Sequence, residues 1–518
     1  MGINKNLLVI IFALSGMAAL IYEIIWIRPL SLVFGSTVYA VSTIVSSFIL
    51  GLAIGSWLAG KYSDRMSNPL KYFAMFQIGI GAYGIFLLPV FGLLPGAYIE
   101  VYNLTFPNLY LFQFTQILMA MSIITIPATL MGTTLPLMLK TYSQNFSSIG
   151  YDVGKLDASN SAGAVFGTLA AGFLMLPLLG IQTSIMITAL VNFSIGVSIL
   201  ATKRYIKYQY LICIVVGIIT IFLFAPSYDV QTLNYGAYTY IFPGQTIEDV
   251  ESHLAKQDVL FYKDSMYSTI MVTAIEDTQT LTINGKEQCN SAPGTIEGAS
   301  KLSSVPYDVF LQNYGQPENA LVVGVGCGIS SKWLSERVST TSVEVDPAVV
   351  EASKLFYPEI EHSLIIDDAR NWLLRNDKKF DIITGQPQDP FENHGSLFTK
   401  EYFELLKSRL TDRGVVAQWV PIFEMTLDDW YIFYNTFHSV FPNVYIFKIS
   451  VTGLDELILI GSQNPLEIAD KTRYLGSHER FNPIETILNT DDHNSLEYST
   501  ALNQYRKNIP GYTDTNVG

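Results

Sequence analysis

Hydrophobic and polar positions divide this chain into two halves. Up to about residue 225 the pattern is long apolar runs with polar residues between them, at about 7–27, 38–60, 72–95, 110–139, 158–179, 181–201 and 209–225. A helix crosses a bilayer with roughly 20 apolar residues, because every backbone polar group must be satisfied within the segment. The pattern therefore predicts seven membrane-spanning candidates. The first has no small-residue cleavage site and is followed directly by further apolar runs, so it reads as a span and not as a signal peptide. Gly51, Gly55 and Gly60, and again Gly163, Gly167 and Gly172, recur at spacings that suit close helix–helix packing.

Past residue 225 the period shortens. Residues 258–288 alternate as β-structure, with Asn284-Gly285 as a hairpin turn signal. Strand and helix patterns then alternate, as in a doubly wound sheet. The strands expected are Ala320–Val325, Thr341–Val345, Leu364–Ile366, Phe380–Thr384 and Val415–Trp419, with a closing pair at Val444–Lys448 and Glu456–Ile460. The resulting division is a helical domain at 1–225, a linker and small β-domain at 226–315, and an α/β domain at 316–518.

Composition sharpens this picture. Hydrophobic residues are 49% of the 518 and charged residues 15%, against about 25% charged in a typical soluble chain. Mean hydropathy is +0.30. The first 225 residues carry 10 Lys/Arg against 5 Asp/Glu, and the remainder 21 against 40. Nucleic acid is excluded as a partner of the acidic half, because neutralising phosphates takes an excess of Lys and Arg. The three cysteines, Cys213, Cys289 and Cys327, suggest neither a disulfide framework nor a metal site, which fits a reducing compartment. Lys5 and the basic loops at Lys61–Lys71, Lys140–Lys155 and Lys203–Lys207 read as cytoplasmic. Seven true spans would then leave the C-terminal domain outside. The expectation is nevertheless a cytoplasmic domain on a multi-pass plasma-membrane protein, with 209–225, the shortest run, failing to span. Glu23 is the clearest charge within an apolar run, with Arg28 as its local partner.

Candidate chemistry lies where the strands end. Gly324, Gly326 and Gly328 follow the first strand of the alternating region. Glycines there let the backbone approach a ligand, and the next helix offers its N-terminus. Glu344 ends the second strand, where a carboxylate can accept both hydrogen bonds of a ribose diol. Asp367 and Asp368 end the third. Without a Lys-Ser/Thr after the glycines a P-loop is excluded, and the ligand class is adenosine-bearing.

These residues carry a resemblance. Ser342-Val343-Glu344-Val345-Asp346-Pro347, Asp368-Ala369-Arg370-Asn371-Trp372-Leu373, Phe380-Asp381-Ile382-Ile383 through Gln388-Asp389-Pro390, and Leu397-Phe398-Thr399-Lys400-Glu401-Tyr402-Phe403 are similar to motifs of spermidine synthases. Tyr22-Glu23-x-x-Trp26, Phe34-Gly35-Ser36-Thr37 and Gly51-Leu52-Ala53-Ile54-Gly55-Ser56 resemble the membrane-fused members of that family. The resemblance implies a polytopic helical membrane bundle followed by a small β-domain and a Rossmann-like, methyltransferase-type fold of seven strands. It implies a transferase that moves an aminopropyl group from decarboxylated S-adenosylmethionine to an amine such as putrescine, releasing methylthioadenosine. By motif match Glu344 would hold the ribose, Asp368 and Ala369 the adenine, and Gly324, Gly326 and Gly328 the donor, with Gln288 a further donor contact from the β-domain. No metal is implied. The partners are the lipid bilayer and a small-molecule amine, with a homodimer left open.

Three departures stand out. Where soluble spermidine synthases carry an Asp within the glycine loop, this chain has Cys327; where they carry a catalytic Asp three residues before the Asp-Pro, it has Gln386; and their histidine before the first strand is replaced around Ser304. An amine must be neutral to attack, and a carboxylate beside it acts as base and orienter, which a glutamine cannot do. Asp389 and the pair Asp491 and Asp492 are the candidate substitutes, with Glu392 and His394 behind them. Two alternatives differ in class: methyl transfer from S-adenosylmethionine to a lipid or hydrophobic small molecule, and a permease whose soluble domain senses a nucleoside.

Overall fold

Long apolar runs satisfy their own backbone only as helix, and the first half of the chain is helical almost throughout. The computed structural model describes residues 4–63, 65–143, 148–205, 207–223, 229–358, 363–385, 395–422, 425–451, 454–469, 474–477 and 490. The chain divides into two units, residues 1–35 with 39–254, and residues 36–38 with 255–518.

The helical unit contains α1 (Lys5–Phe34), α2 (Val38–Ser63), α3 (Pro69–Thr105), α4 (Leu109–Gly132), α5 (Thr134–Tyr142), α6 (Ile149–Ala170), α7 (Leu176–Thr202) and α8 (Tyr208–Leu223). Five stretches are long and apolar enough to cross a membrane: Lys5–Phe34, Val38–Ser63, Pro69–Thr105, Tyr110–Tyr142 and Ile149–Thr202. The last has 54 residues, which would be about 80 Å of unbroken helix. It is interrupted at Gly180, whose φ of 73° and ψ of 177° are not helical, so it forms two segments. Tyr208–Thr220 is the shorter apolar helix. All seven apolar runs are thus found as helix.

Two of the small-residue spacings act as packing surfaces. A Cβ on Gly163 would fall 1.9 Å from the carbonyl oxygen of Ala13, and one on Gly167 2.3 Å from that of Met17, so only glycine lets α6 lie this close to α1. Gly60 and Gly172 meet nothing within 4 Å.

The two ends of this unit differ in composition. At one end Lys5 Nζ sits 4.8 Å over the Tyr142 ring, Lys140 donates to the Ser63 carbonyl, and Leu8, Leu70, Leu137, Leu156 and Leu200 cluster. Every basic loop belongs to this end. At the other, Tyr98 packs on Phe34 and Phe112, with centroids 6.0 and 5.4 Å away. Three short helices, α9 (Val230–Leu233), α10 (Ala237–Tyr240) and α11 (Ile247–Leu254), also belong to the helical unit. They are fastened to the C-terminal end of α3: Asn103 Nδ2 donates to the Gln245 carbonyl at 2.8 Å, and Asn103 Oδ1 accepts from the Gly244 amide at 2.9 Å. Residues 229–254, which the change of period assigns to the C-terminal half, group with the bundle.

The second unit begins with an antiparallel sheet in the order β1 (Asp258–Asp264), β2 (Thr269–Ile275), β3 (Thr278–Ile283) and β4 (Lys286–Asn290). Asn284 and Gly285, at φ 51° and 80°, make the two-residue turn between β3 and β4. There follow α12 (Pro293–Tyr314), β5 (Asn319–Val323), α13 (Ile329–Ser335), β6 (Ser339–Glu344), α14 (Pro347–Ser353), β7 (Ser363–Ile366), α15 (Ala369–Arg375), β8 (Phe380–Gly385), α16 (Lys400–Ser408), β9 (Leu410–Val420), α17 (Leu427–Val440), β10 (Asn443–Val451), β11 (Leu454–Ser462) and β12 (Tyr474–Ser477).

The strand order is β12-β10-β11-β9-β8-β5-β6-β7. Strands β9, β8, β5, β6 and β7 run parallel, and β11, β10 and β12 add antiparallel. This is a Rossmann-like, methyltransferase-type sheet with eight strands among the described residues, one more than the resemblance implies. Alternate residues of β5 serve opposite faces. Leu321 and Val323 join Trp372, Phe403, Phe433 and Phe437 on one side, and Ala320 and Val322 join Leu302, Phe310 and Leu334 on the other. A strand covered on both faces has no polar register, which is why β5 reads as an unbroken apolar run from Ala320 to Val323.

Candidate functional site

The order reverses between β5 and β8, and in open α/β sheets ligands bind outside the carboxyl ends of the strands at such a switch point. The candidate residues converge there. Gly324, Gly326 and Gly328 follow β5 at φ 82°, 53° and 88°, a region where a side chain is strained, so this loop needs glycine. Glu344 ends β6 and is 9% exposed. Its Oε2 accepts from the Val325 amide of the glycine loop at 2.9 Å, and its Oε1 from the Asp346 amide at 3.0 Å. The carboxylate is therefore preorganised by two backbone donors, and each oxygen keeps a lone pair for a ribose hydroxyl. Burial holds its pKa above the ordinary glutamate value, against the backbone amides of Val325, Asp346 and Val345 that pull it down.

Asp368 stands one strand further out. Its Oδ1 accepts from the Asn371 amide at 2.8 Å, which makes it the N-cap of α15, with Ala369 as the first helical residue. Arg375 pairs with the neighbouring Asp367. Thr384, near the end of β8, donates to the Leu302 carbonyl of α12 at 3.0 Å and fixes that helix beside the switch point. Gln386, Asp389, Glu392, His394, Asp491 and Asp492 lie outside the described residues. Among the described residues no group of three or more His, Cys, Asp and Glu is placed to hold a metal.

The structure corrects the reading of the cysteines. Cys289 and Cys327, 38 positions apart in sequence, form a disulfide with Cα atoms 6.2 Å apart. It joins β4 to the glycine loop. Gln288, one residue before Cys289, is thereby brought towards the glycine loop, while its Nε2 donates to the Lys286 carbonyl at 3.2 Å. Cys327 is buried among Ile270, Val272 and Leu281 of the small sheet and Ile329, Ala348 and Val349 of α13 and α14. The position where the resemblance calls for an aspartate is a covalent staple.

Asp346 is the residue that motif reading passes over. Its Oδ2 accepts from the Ser265 and Ser268 hydroxyls, the latter at 2.8 Å, and its Oδ1 from the Ala348 amide at 2.9 Å. One buried carboxylate thus caps α14 and clamps the β1–β2 turn of the small sheet. Hydrogen bonds to a charged group contribute about 1.5–3 kcal/mol. Asp346→Ala should lower the unfolding free energy of the domain by at least about 2 kcal/mol, visible as a drop in the urea midpoint. An unchanged midpoint would show that the clamp adds nothing.

A parallel sheet with a glycine loop and a carboxylate at its switch point defines a Rossmann-like, methyltransferase-type domain. Residues 307–458 match the family model of the spermine/spermidine synthase domain. Through that domain the chain is similar to spermidine synthase-like transferases. It is 23% identical over 434 residues to a polyamine aminopropyltransferase of Oceanobacillus iheyensis, covering 80% of this chain and 78% of that one. With a polyamine aminopropyltransferase of Leptospira interrogans it shares 23% over 417 residues, 77% and 75% of the two chains. Both alignments are longer than residues 255–518, so each runs into the helical half. Among solved structures, spermidine synthase from Thermotoga maritima is 19% identical with a TM-score of 0.34, over 40% of this chain and 73% of that one.

Proposed function

We propose that the protein is a membrane-bound aminopropyltransferase that uses decarboxylated S-adenosylmethionine and an amine such as putrescine. The observation that carries this is the Glu344 carboxylate at the end of β6, tied to a loop of three positive-φ glycines within a domain of this family. In the reaction the amine lone pair attacks the aminopropyl carbon bonded to the sulfonium. The carbon–sulfur bond electrons pass to sulfur, methylthioadenosine leaves, and the new ammonium loses a proton. Glu344 would hold the ribose hydroxyls, the glycine loop the donor, and Asp368 with Ala369 the adenine. The apolar helices α1–α4 and α6–α8 would cross a bilayer and deliver the domain to its surface.

Mass spectrometry of products decides the reading, with purified protein offered both the decarboxylated donor and S-adenosylmethionine alongside a polyamine panel. Methylthioadenosine with an aminopropylated amine is the expected result. S-adenosylhomocysteine with a methylated acceptor would replace the proposal by methyl transfer.

Gln386 bears on rate. A positioned general base contributes typically about 10²–10⁴-fold. Gln386→Asp should therefore raise turnover with putrescine by at least about tenfold if the acceptor is a polyamine. A fall in turnover would mean that the pocket serves another acceptor. Asp389→Asn and the double change Asp491→Asn with Asp492→Asn should each lower the rate if those acids take over the role of the base. Full activity in both would leave catalysis to proximity alone.

A further inference from the structure

We propose that the C-terminal domain stands on the extracytoplasmic side of the membrane, with the Cys289–Cys327 disulfide fastening its small sheet to the donor loop. This rests on the helical unit spanning a bilayer and is independent of which group the enzyme transfers.

The path of the chain within the helical unit fixes the side on which it leaves. Lys5, Lys61, Lys71, Lys140, Lys203 and Lys207 all stand at or beside helix ends that cluster together. Loops rich in Lys and Arg stay in the cytoplasm, so this end faces inward. Helix α8 starts here, with Leu211 and Ile214 packed against the same cluster that holds Leu8, Leu70 and Tyr142. Its far end reaches Phe193 of α7, where the Phe222 ring lies 6.2 Å away, edge on.

The chain next appears at the opposite end. Asn103 binds Gly244 and Gln245, and the Gly96 Cβ position is 3.4 Å from Ile247. Helix α3 has 37 residues and is therefore about 55 Å long, so Lys71 at its start and Asn103 near its end cannot share a membrane face about 30 Å thick. Residues 226–255 contain no Lys or Arg, like the loop at 106–109 on the same side. The segment that leads into the C-terminal domain thus leaves the bundle on the face opposite the basic loops. This placement departs from the cytoplasmic side expected of an enzyme with an intracellular donor.

The chemistry of the other unit points the same way. Disulfides persist in oxidising compartments, whereas cytosolic thiols are kept reduced. Both cysteines of the C-terminal domain are joined to each other, and the one remaining thiol, Cys213, lies in α8. The bond closes over a loop that needs its shape for ligand binding, so the domain reaches its binding-competent form where thiols oxidise.

Labelling of the full chain in intact cells tests this. In a Cys213→Ala background, Glu297→Cys places a thiol in α12 at a side chain that is 71% exposed, and Arg204→Cys places one in the basic loop after α7. A membrane-impermeant maleimide should label position 297 in intact cells as fully as in lysed ones, and position 204 only after lysis. Protection of position 297 until lysis would overturn the proposal. An added cysteine could mispair, so the unaltered chain supplies a second readout: acid quenching of cells, alkylation and peptide mass analysis. Cys289 and Cys327 should be recovered joined, and their recovery as two alkylated thiols would overturn the proposal. Neither measurement depends on turnover, so a failure of aminopropyl transfer leaves both interpretable.

Discussion

Glu344→Ala is expected to remove binding of the adenosyl donor while the sheet stays folded. The ribose diol would lose a charged acceptor worth about 1.5–3 kcal/mol, and since about 1.4 kcal/mol is tenfold, affinity should fall at least about tenfold and as much as a hundredfold. The change also unpairs the amides of Val325 and Asp346, so Glu344→Gln is the sharper comparison. It keeps an oxygen for one amide and removes the charge. Calorimetry with methylthioadenosine checks both, and unchanged affinity in both would reject the site.

The same residue gives a pH signature. Burial, the largest influence, raises the folded-state pKa of Glu344 above its ordinary value. The folded domain therefore takes up this proton more readily than the unfolded chain does. As pH falls through the raised value, protonation favours the folded, ligand-free domain. Over the same range donor affinity should decline, because the neutral acid is a weaker acceptor. Loss of affinity should begin at a higher pH than a free glutamate would allow, and should be absent in Glu344→Gln.

Removing the disulfide should have the largest effect on stability. Cross-linking residues 38 positions apart restricts the unfolded chain by about 4 kcal/mol in the chain-entropy model. Stability totals only about 5–15 kcal/mol for a typical domain. The double change Cys289→Ala with Cys327→Ala, or a reductant added to the unaltered protein, should shift the urea midpoint of the C-terminal domain by an amount equivalent to several kcal/mol. Donor affinity should weaken too, because the glycine loop loses its tether to β4. A midpoint that moves by less than about 1 kcal/mol would make the bond dispensable.

The parts of this architecture visible in sequence are those set by local pattern. Apolar runs announced the long helices of the helical unit, including the division at Gly180, because a bilayer-length helix cannot be built otherwise. The Asn284-Gly285 hairpin was legible because both residues tolerate positive φ. The β2–β3 turn carries no such signal, since it places Glu276 at φ 51°. Gly324, Gly326, Gly328 and Glu344 could be read because their spacing follows from a strand, a tight turn and the next strand. What escaped depends on elements meeting in space. The Cys289–Cys327 bond exists because β4 is folded over the glycine loop, and nothing local to either cysteine foretells it. The clamp at Asp346 likewise needs Ser265 and Ser268, some 80 residues earlier, and the boundary at 225 moved because α9–α11, at four to eight residues, are too short to show a helical period.

The attachment of α9–α11 determines where the chain can be divided. Leu233, Tyr238 and Val250 are each only 1% exposed, and the faces they occupy were shaped by the helical unit. A soluble fragment begun at residue 226 would carry those faces into water with nothing to cover them, and would aggregate. The same cut would strip Asn103 of Gly244 and Gln245 and leave the helical half without its end plate. A break between Leu254 and Asp258 spares both, since it falls after the last bundle helix and before the first strand of the small sheet.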